Sequence, residues 1–368
     1  MSRFLAVSDV HAHPFPYGAR YVPYKTFKGM HNSRLVDILY ALEEAADYAV
    51  ANDIRTVLFG GDLYHTRQAV KTVARNMVTA VIKTQFVDRG LTLVMIPGNH
   101  DYADRVGNIH SLQSLDYLST RVHVLDTVTS LDVGDITVFS VPYTDDVVQA
   151  RDSLKFAASQ AATRTDRTTV LLGHFGIQGA TVGSDYVMLS PTDVTGDEIP
   201  FASFDACFFG HYHQHQVVAK NAWYIGALTE QNWSDAGGKR GFLDVQIGDK
   251  VSIKRIETSA PKFVVCTTIE ELQAAPSNAF VTFFTDTVPT EEQQVVLRET
   301  CASAQLEIKP VKTKQTTPEL AFDAAQLNAE TALKPWVVAN AGDLDQEALL
   351  QLGRELLSLG QDDEVQTD

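Results

Sequence analysis

Five short apolar runs in this chain end alike, each in a tight turn that delivers a carboxylate, an amide or an imidazole. Residues 4–7 run into Ser8-Asp9-Val10-His11, and residues 56–59 into Gly60-Gly61-Asp62. Residues 91–96 run into Pro97-Gly98-Asn99-His100-Asp101, residues 169–172 into Gly173-His174, and residues 206–209 into Gly210-His211-Tyr212-His213. An apolar run of this length bounded by turn residues reads as a buried strand. In open α/β sheets, ligands gather where strand carboxyl ends meet, and glycine beside a ligand lets the backbone turn sharply and approach closely. A single Gly-His or Asp-x-His is weak evidence, because a lone histidine is more often a core or surface residue. Five strand exits carrying metal-ligand types are hard to obtain by chance.

Helical patterns separate the early runs. In residues 35–50, Leu35, Leu39, Leu42 and Ala46 fall on one face, and residues 70–87 repeat the pattern. Strand–helix alternation predicts an α/β fold with layered sheets flanked by helices, here over residues 1–250. Residues 251–314 read as a small α+β cap, with strands at VSIKRI, KFVVCT, AFVTFF and LEIKPV and helices at IEELQAA and 291–304. A polar linker at 313–318 leads into C-terminal helices at 319–333 and 344–359, then an acidic tail, together spanning 315–368. Leu344, Ala348, Leu349, Leu352, Leu356 and Leu359 form one apolar stripe, which needs either this chain's own core or a partner's groove.

With 368 residues, 45% of them hydrophobic, the chain can bury a sizeable core. Its net charge of −16 argues against a protein that coats nucleic acid. Of that charge, −9 falls from residue 315 onward and −7 on the first 314 residues. Residues 12–36 hold no acid, yet carry Arg20, Lys25, Lys28 and Arg34 among Phe15, Tyr17, Tyr21, Tyr24 and Phe27. That mixture suits phosphate contact with base stacking beside the first motif, or else an ordered loop whose aromatics cover the core. The apolar run at 4–7 is too short for a secretory or membrane segment, so a cytoplasmic chain without membrane attachment is expected. Cys207, Cys266 and Cys301 lack a CxxC pair and read as buried thiols.

The motifs DxH, GGD, GNHD, GH and GHxH, in this order over residues 1–218, resemble the calcineurin-like metallophosphoesterase superfamily. Within it, the GDLYH form of the second motif, the cap and the C-terminal helices are similar to the SbcD family of DNA-repair nucleases. The resemblance implies one ion held by Asp9, His11, Asp62 and His213. A second would be held by Asp62, Asn99, His174 and His211, with Asp62 bridging the two. Mixed imidazole, carboxylate and amide donors suit Mn²⁺, Fe or Zn, and the family favours Mn²⁺. His100 resembles the family histidine that donates a proton to the leaving alkoxide. Asp101 would orient it, unless it is a simple turn residue. His65 resembles a position that places the DNA strand, against a plain loop histidine, with Arg20, Lys25 and Tyr24 as further substrate contacts. The implied function is a two-metal DNA exo- and endonuclease, the catalytic subunit of an SbcCD-type repair complex. It would be a homodimer whose C-terminal helices dock on an SbcC-like SMC-type ATPase. The alternative is a stand-alone phosphatase or nucleotide phosphodiesterase. A non-catalytic metal scaffold is disfavoured by the intact ligand set.

Overall fold

The computed structural model describes residues 1–103, 109–182, 186–187, 190, 193–300, 305–310, 333–334, 337–338 and 345–362. The chain begins with β1 (Ser2–Val7), a hairpin of β2 (Tyr21–Tyr24) and β3 (Phe27–Asn32), α1 (Ser33–Ala51) and β4 (Thr56–Phe59). Next come α2 (Thr72–Val81), β5 (Thr92–Met95), α3 (Gln113–Asp116), β6 (Val122–Val124), β7 (Thr129–Val133), β8 (Ile136–Val141) and α4 (Val147–Ala161). β9 (Thr168–His174), the short pair β10 (Thr181–Val182) and β11 (Tyr186–Val187), β12 (Ala206–Gly210), β13 (Gln216–Ala219) and β14 (Ala222–Tyr224) follow. The remainder holds β15 (Phe242–Ile247), β16 (Val251–Ile256), β17 (Phe263–Cys266), α5 (Ile269–Ala274), β18 (Phe280–Thr285), α6 (Glu291–Thr300), β19 (Gln305–Pro310) and α7 (Gln346–Asp362).

Two six-stranded sheets form the body, in the orders β16-β15-β1-β4-β5-β6 and β13-β14-β12-β9-β8-β7. The runs β1-β4-β5-β6 and β8-β9-β12-β14 are parallel. Strand side chains alternate between faces, so each sheet fills two cores. Phe4 and Ala6 of β1 join Leu58, Val94 and Ile96 and meet Val138, Val170, Leu172 and Phe208 of the second sheet. Leu5 and Val7 point the other way, into a core with α1 and α2. Across the second sheet, Leu154 and Ala157 of α4 cover Phe139, Leu171 and Phe209. The helix–sheet–sheet–helix order explains why the central strands read as unbroken apolar runs, since both faces are covered. The predicted stripe of α1 is buried, and Asn32 caps the helix by accepting the Leu35 N–H at 3.1 Å. The helix expected over 70–87 changes winding, with α2 passing into a π-helical turn at Ile82–Phe86.

The cap sheet β17-β18-β19 closes with α5 and α6 around Cys266, Leu272, Val281, Phe283 and Leu297. Its expected start at residue 251 is corrected: β16 pairs along its whole length with β15 and is the edge strand of the first body sheet. An edge strand with one face exposed alternates in the way VSIKRI does, which made it resemble a cap strand. Residues Met1–Phe284 and Thr290–Lys309 make one compact unit, and Thr285–Pro289 with Pro310–Asp368 the other. The second holds α7, matching the helix expected at 344–359. The linker 313–318 and nearly all of the helix at 319–333 lie outside the described residues, as does Cys301. Cys207 and Cys266 are buried. Among the described residues no helix is long and apolar enough to cross a membrane.

Candidate metal centre

The parallel registers put the predicted turns side by side. Leu5 pairs with Val57 and Val57 with Leu93, while His174 pairs with Gly210 across β9 and β12. The first two exits are laced together: the Asp9, His11 and Ala12 N–H groups donate to the carbonyls of Gly61, Asp62 and Leu63 at 2.8–3.0 Å. Four of the seven predicted ligands adopt positive φ without being glycine, namely Asp9 (49°), His11 (47°), Asp62 (56°) and His211 (102°). Such backbone costs on the order of 1–3 kcal/mol per residue and persists where surrounding structure enforces it, typically at functional sites. Glycine does the complementary work. A Cβ on Gly61 would lie 2.4 Å from His174 Nδ1, and one on Gly98 would lie 2.3 Å from Asp62 Oδ1.

All seven side chains converge. Asp62 Oδ2 lies 3.5 Å from both His11 Nε2 and His174 Nε2, while its Oδ1 accepts the His100 backbone N–H at 2.7 Å. One carboxylate oxygen therefore faces both halves of the site. Asn99 Oδ1 sits 3.1 Å from His174 Nε2 and 3.0 Å from His211 Nδ1. Asp9 Oδ1 is 3.9 Å from His11 Nε2, whose neighbour at 3.2 Å is His213 Nε2. Donor atoms of Asp9, His11 and His213, and likewise of Asp9, Asp62 and His174, all lie within 4.8 Å of one another.

The partners of the outer nitrogens fix the tautomers. His174 Nδ1 donates to the Gly60 carbonyl at 2.6 Å, and His213 Nδ1 faces the Asp235 carboxylate at 3.2 Å. Their Nε2 lone pairs are thus turned inward, as in a ligand histidine held by an outer hydrogen bond. Burial holds His11 well below the ordinary imidazole pKa and pushes His211 down to about 3, so both offer lone pairs. For His174 burial also works downward, but the Asp62 and Asp9 carboxylates outweigh it and raise the ring to about 9. A proton drawn to that spot marks where a cation is stabilised, and metal binding displaces such protons. Nitrogen lone pairs of His11 and His213 facing each other at 3.2 Å repel unless positive charge lies between them. This donor set fits divalent cations.

The sequence matches the calcineurin-like phosphoesterase family over residues 2–215. The chain belongs to that family. Among solved structures it is similar to GAP50, the anchor in the inner membrane complex of Plasmodium. There the identity is 15%, the match covers 71% of this chain and 86% of that one, and the TM-score is 0.43. A dimetal phosphatase from Danio rerio is 9% identical, over 69% of this chain and 96% of that one, with a TM-score of 0.40.

In this calcineurin-like phosphoesterase, His100 stands at the edge of the cluster: its ring packs edge-on to His11 at 4.7 Å and stacks on His65 at 5.4 Å. Its Nδ1 donates to the His65 carbonyl at 2.6 Å, which leaves Nε2 for chemistry. The expectation that Asp101 orients His100 is corrected. Asp101 is fully buried, and its carboxylate accepts the backbone N–H groups of Asp62, Leu63, Tyr64 and Gly98 at 2.8–3.3 Å. It knits two ligand loops together, and the His65 carbonyl orients His100 instead. His65 itself lies at the cluster, with ligand atoms within 4.8 Å of those of His11 and His100.

The loop over 12–36 divides. Phe15 packs on His65 at 4.7 Å, so its start borders the site. Tyr24 is buried with its hydroxyl on Glu43, and Lys25 pairs with the same carboxylate at 2.6 Å. Arg20 lines a cavity with Asp37 and Tyr40 of α1. These three residues serve α1 rather than the metal ligands, because the β2–β3 hairpin folds back on that helix. Sequence reasoning missed Tyr143, whose ring lies 6.2 Å from His174 and 6.1 Å from His211. It leaves the end of β8, and the strand-exit rule applied to that run points to it. It also missed Asp235 behind His213, which no local pattern marks.

Proposed function

We propose that this phosphoesterase is a two-metal-dependent nuclease that hydrolyses phosphodiester bonds in DNA, of the SbcD kind. One ion would be held by Asp9, His11, Asp62 and His213, and the other by Asp62, Asn99, His174 and His211, with Mn²⁺ favoured by the resemblance and Fe or Zn compatible with the donors. When bound, such a pair neutralises the phosphodiester, supplies a nucleophile at neutral pH and aligns an in-line displacement. His100, protonated on Nε2 and held through Nδ1 by the His65 carbonyl, would deliver a proton to the departing sugar oxygen.

The observation that carries the reading toward nucleic acid is the half-exposed row of rings at the edge of the cluster. His100 stacks on His65, and His65 packs against Phe15 and His13 at 4.7 and 5.4 Å. Such a platform takes an unpaired base of any sequence. A partner of SbcC type would dock on α7, where Leu352 is 52% exposed, and a homodimer is expected on the same resemblance. The deciding assay supplies Mn²⁺ and compares end-labelled duplex, single-stranded and hairpin DNA with a chromogenic diester and monoester. Cleavage of DNA and the diester supports the reading, and activity confined to the monoester overturns it. Deletion after residue 313 should abolish ATP-dependent end processing with the partner while sparing diester hydrolysis. Unchanged end processing would refute the docking role.

A further inference from the structure

A cleft of about 510 Å³ borders the ligand His211, with neither His65 nor His100 among its described lining, and its walls include Arg67, Tyr143, Thr144, Asp193 and Tyr212. The Tyr143 ring is tilted only 30° from that of His211 at 6.1 Å and stands edge-on to His174. A half-buried aromatic face thus continues the ligand cluster outward. The carboxylates here are already engaged. Asp193 takes the Tyr212 hydroxyl at 2.5 Å, and Asp145 takes that of Tyr143. Arg67 is exposed, lies close enough to the Tyr143 hydroxyl to favour its ionisation, against burial and Asp145, and pairs with no carboxylate among the described residues. One guanidinium without a carboxylate partner among the described residues and one aromatic face beside a phosphoester centre match a phosphate joined to a planar base.

We propose that this cleft is a nucleotide subsite in which Tyr143 stacks the base and Arg67 meets the phosphate from the open side of the metal centre. The inference rests on the nuclease reading and adds where the strand lies. His100 stands over the His11–His65 side, and it makes no ring contact with His174 or His211 among the described residues. The departing nucleotide therefore leaves on that side, and the cleft holds the nucleotide that keeps the phosphate.

The test is calorimetric titration of the full-length, Mn²⁺-loaded chain with adenosine monophosphate, ribose 5-phosphate and inorganic phosphate. Tyr143→Ala should weaken the nucleotide about 5- to 150-fold, the span of a lost aromatic–base stack, with ribose 5-phosphate and phosphate within twofold. Tyr143→Phe should keep the nucleotide affinity. Arg67→Gln should weaken all three by about tenfold, as for a lost charge-assisted hydrogen bond. Adenosine monophosphate bound within twofold of wild type by Tyr143→Ala or by Arg67→Gln overturns the proposal. So does a parallel loss of inorganic phosphate in Tyr143→Ala, which would mean a damaged metal centre. The nuclease reading is judged apart. DNA cleavage by wild type with unchanged nucleotide affinity in the variants sinks the subsite alone, whereas variant-sensitive nucleotide binding without DNA cleavage supports the subsite and sinks the nuclease.

Discussion

Arg34→Met probes a guanidinium that has no carboxylate bonded to it among the described residues. The side chain is 4% exposed, donates to the carbonyls of Tyr17 at 3.0 Å and Gln231 at 2.7 Å, and lies 5.2, 5.0 and 4.6 Å from the ring centroids of Phe15, Phe263 and Phe280. Burial lowers its pKa to about 10, which sets the desolvation cost near 3 kcal/mol. Against that stand two charge-assisted bonds of about 1.5–3 kcal/mol each and cation–π attraction of about 0.5–2 kcal/mol. The favourable side wins by about 2–3 kcal/mol. Methionine fills the volume, removes both bonds and strands the buried Gln231 carbonyl. Thermal unfolding should shift down by about 4–6 °C at the usual slope for large domains. The effect should also reach the ligands, because Gln231 donates through Nε2 to the Asp9 carbonyl at 3.2 Å and through its backbone N–H to Asp235 at 3.0 Å. Mn²⁺ titration should therefore show weaker binding. A methionine variant as stable as wild type, with unchanged Mn²⁺ affinity, would mean desolvation cancels the contacts and the reasoning fails.

His100→Ala should retain both metals by elemental analysis yet lose about 10²–10⁴ in turnover of diesters with poor leaving groups; loss of metal would make His100 a ligand instead. Asp101→Asn should cost about 1–3 kcal/mol in urea unfolding and lower metal occupancy, since an amide cannot accept as many of the four N–H groups. An intact fold with only a shifted pH–rate profile would restore Asp101 as the partner of His100. Burial pushes the Asp37 carboxyl up from 3.8 to about 6, against the pull of Arg34 and Arg20. The folded state therefore holds that proton more tightly, and stability falls as pH rises from 3.8 through 6. Asp37→Asn should gain about 1–2 kcal/mol at pH 7.5, discounted for partial exposure, and nothing near pH 3.5. A gain that does not change with pH would refute this assignment.

The ligand set was legible because each member follows an apolar run, and parallel strands carry such exits to one edge. The exit of β8 obeys the same rule and carries Tyr143, an aromatic rather than a ligand type, so a search for ligand types passes over it. Asp101 was misread because GNHD places it beside His100 in sequence, whereas the tight turn at Gly98 aims its carboxylate back at the Asp62 loop. The start of the cap was misplaced because an edge strand and a cap strand share one alternation. Arg20, Tyr24 and Lys25 were drawn toward substrate by composition, which records that aromatics and cations are present but not that a hairpin folds them onto Glu43.

Strand β1 takes its neighbours from distant parts of the chain. One edge is filled by β4, but the other waits for β15, where Ser2 pairs with Ile247 and Ala6 with Leu243. At about 5–20 residues per second, a ribosome needs roughly 12–50 s to make the intervening stretch. Through that interval the nascent chain carries an apolar strand with an open hydrogen-bonding edge, the kind of edge that recruits other chains. Fragments that stop before Phe242 would include every one of the seven ligands and still be driven toward aggregates, because the sheet that carries Asp9 would lack its closing strand.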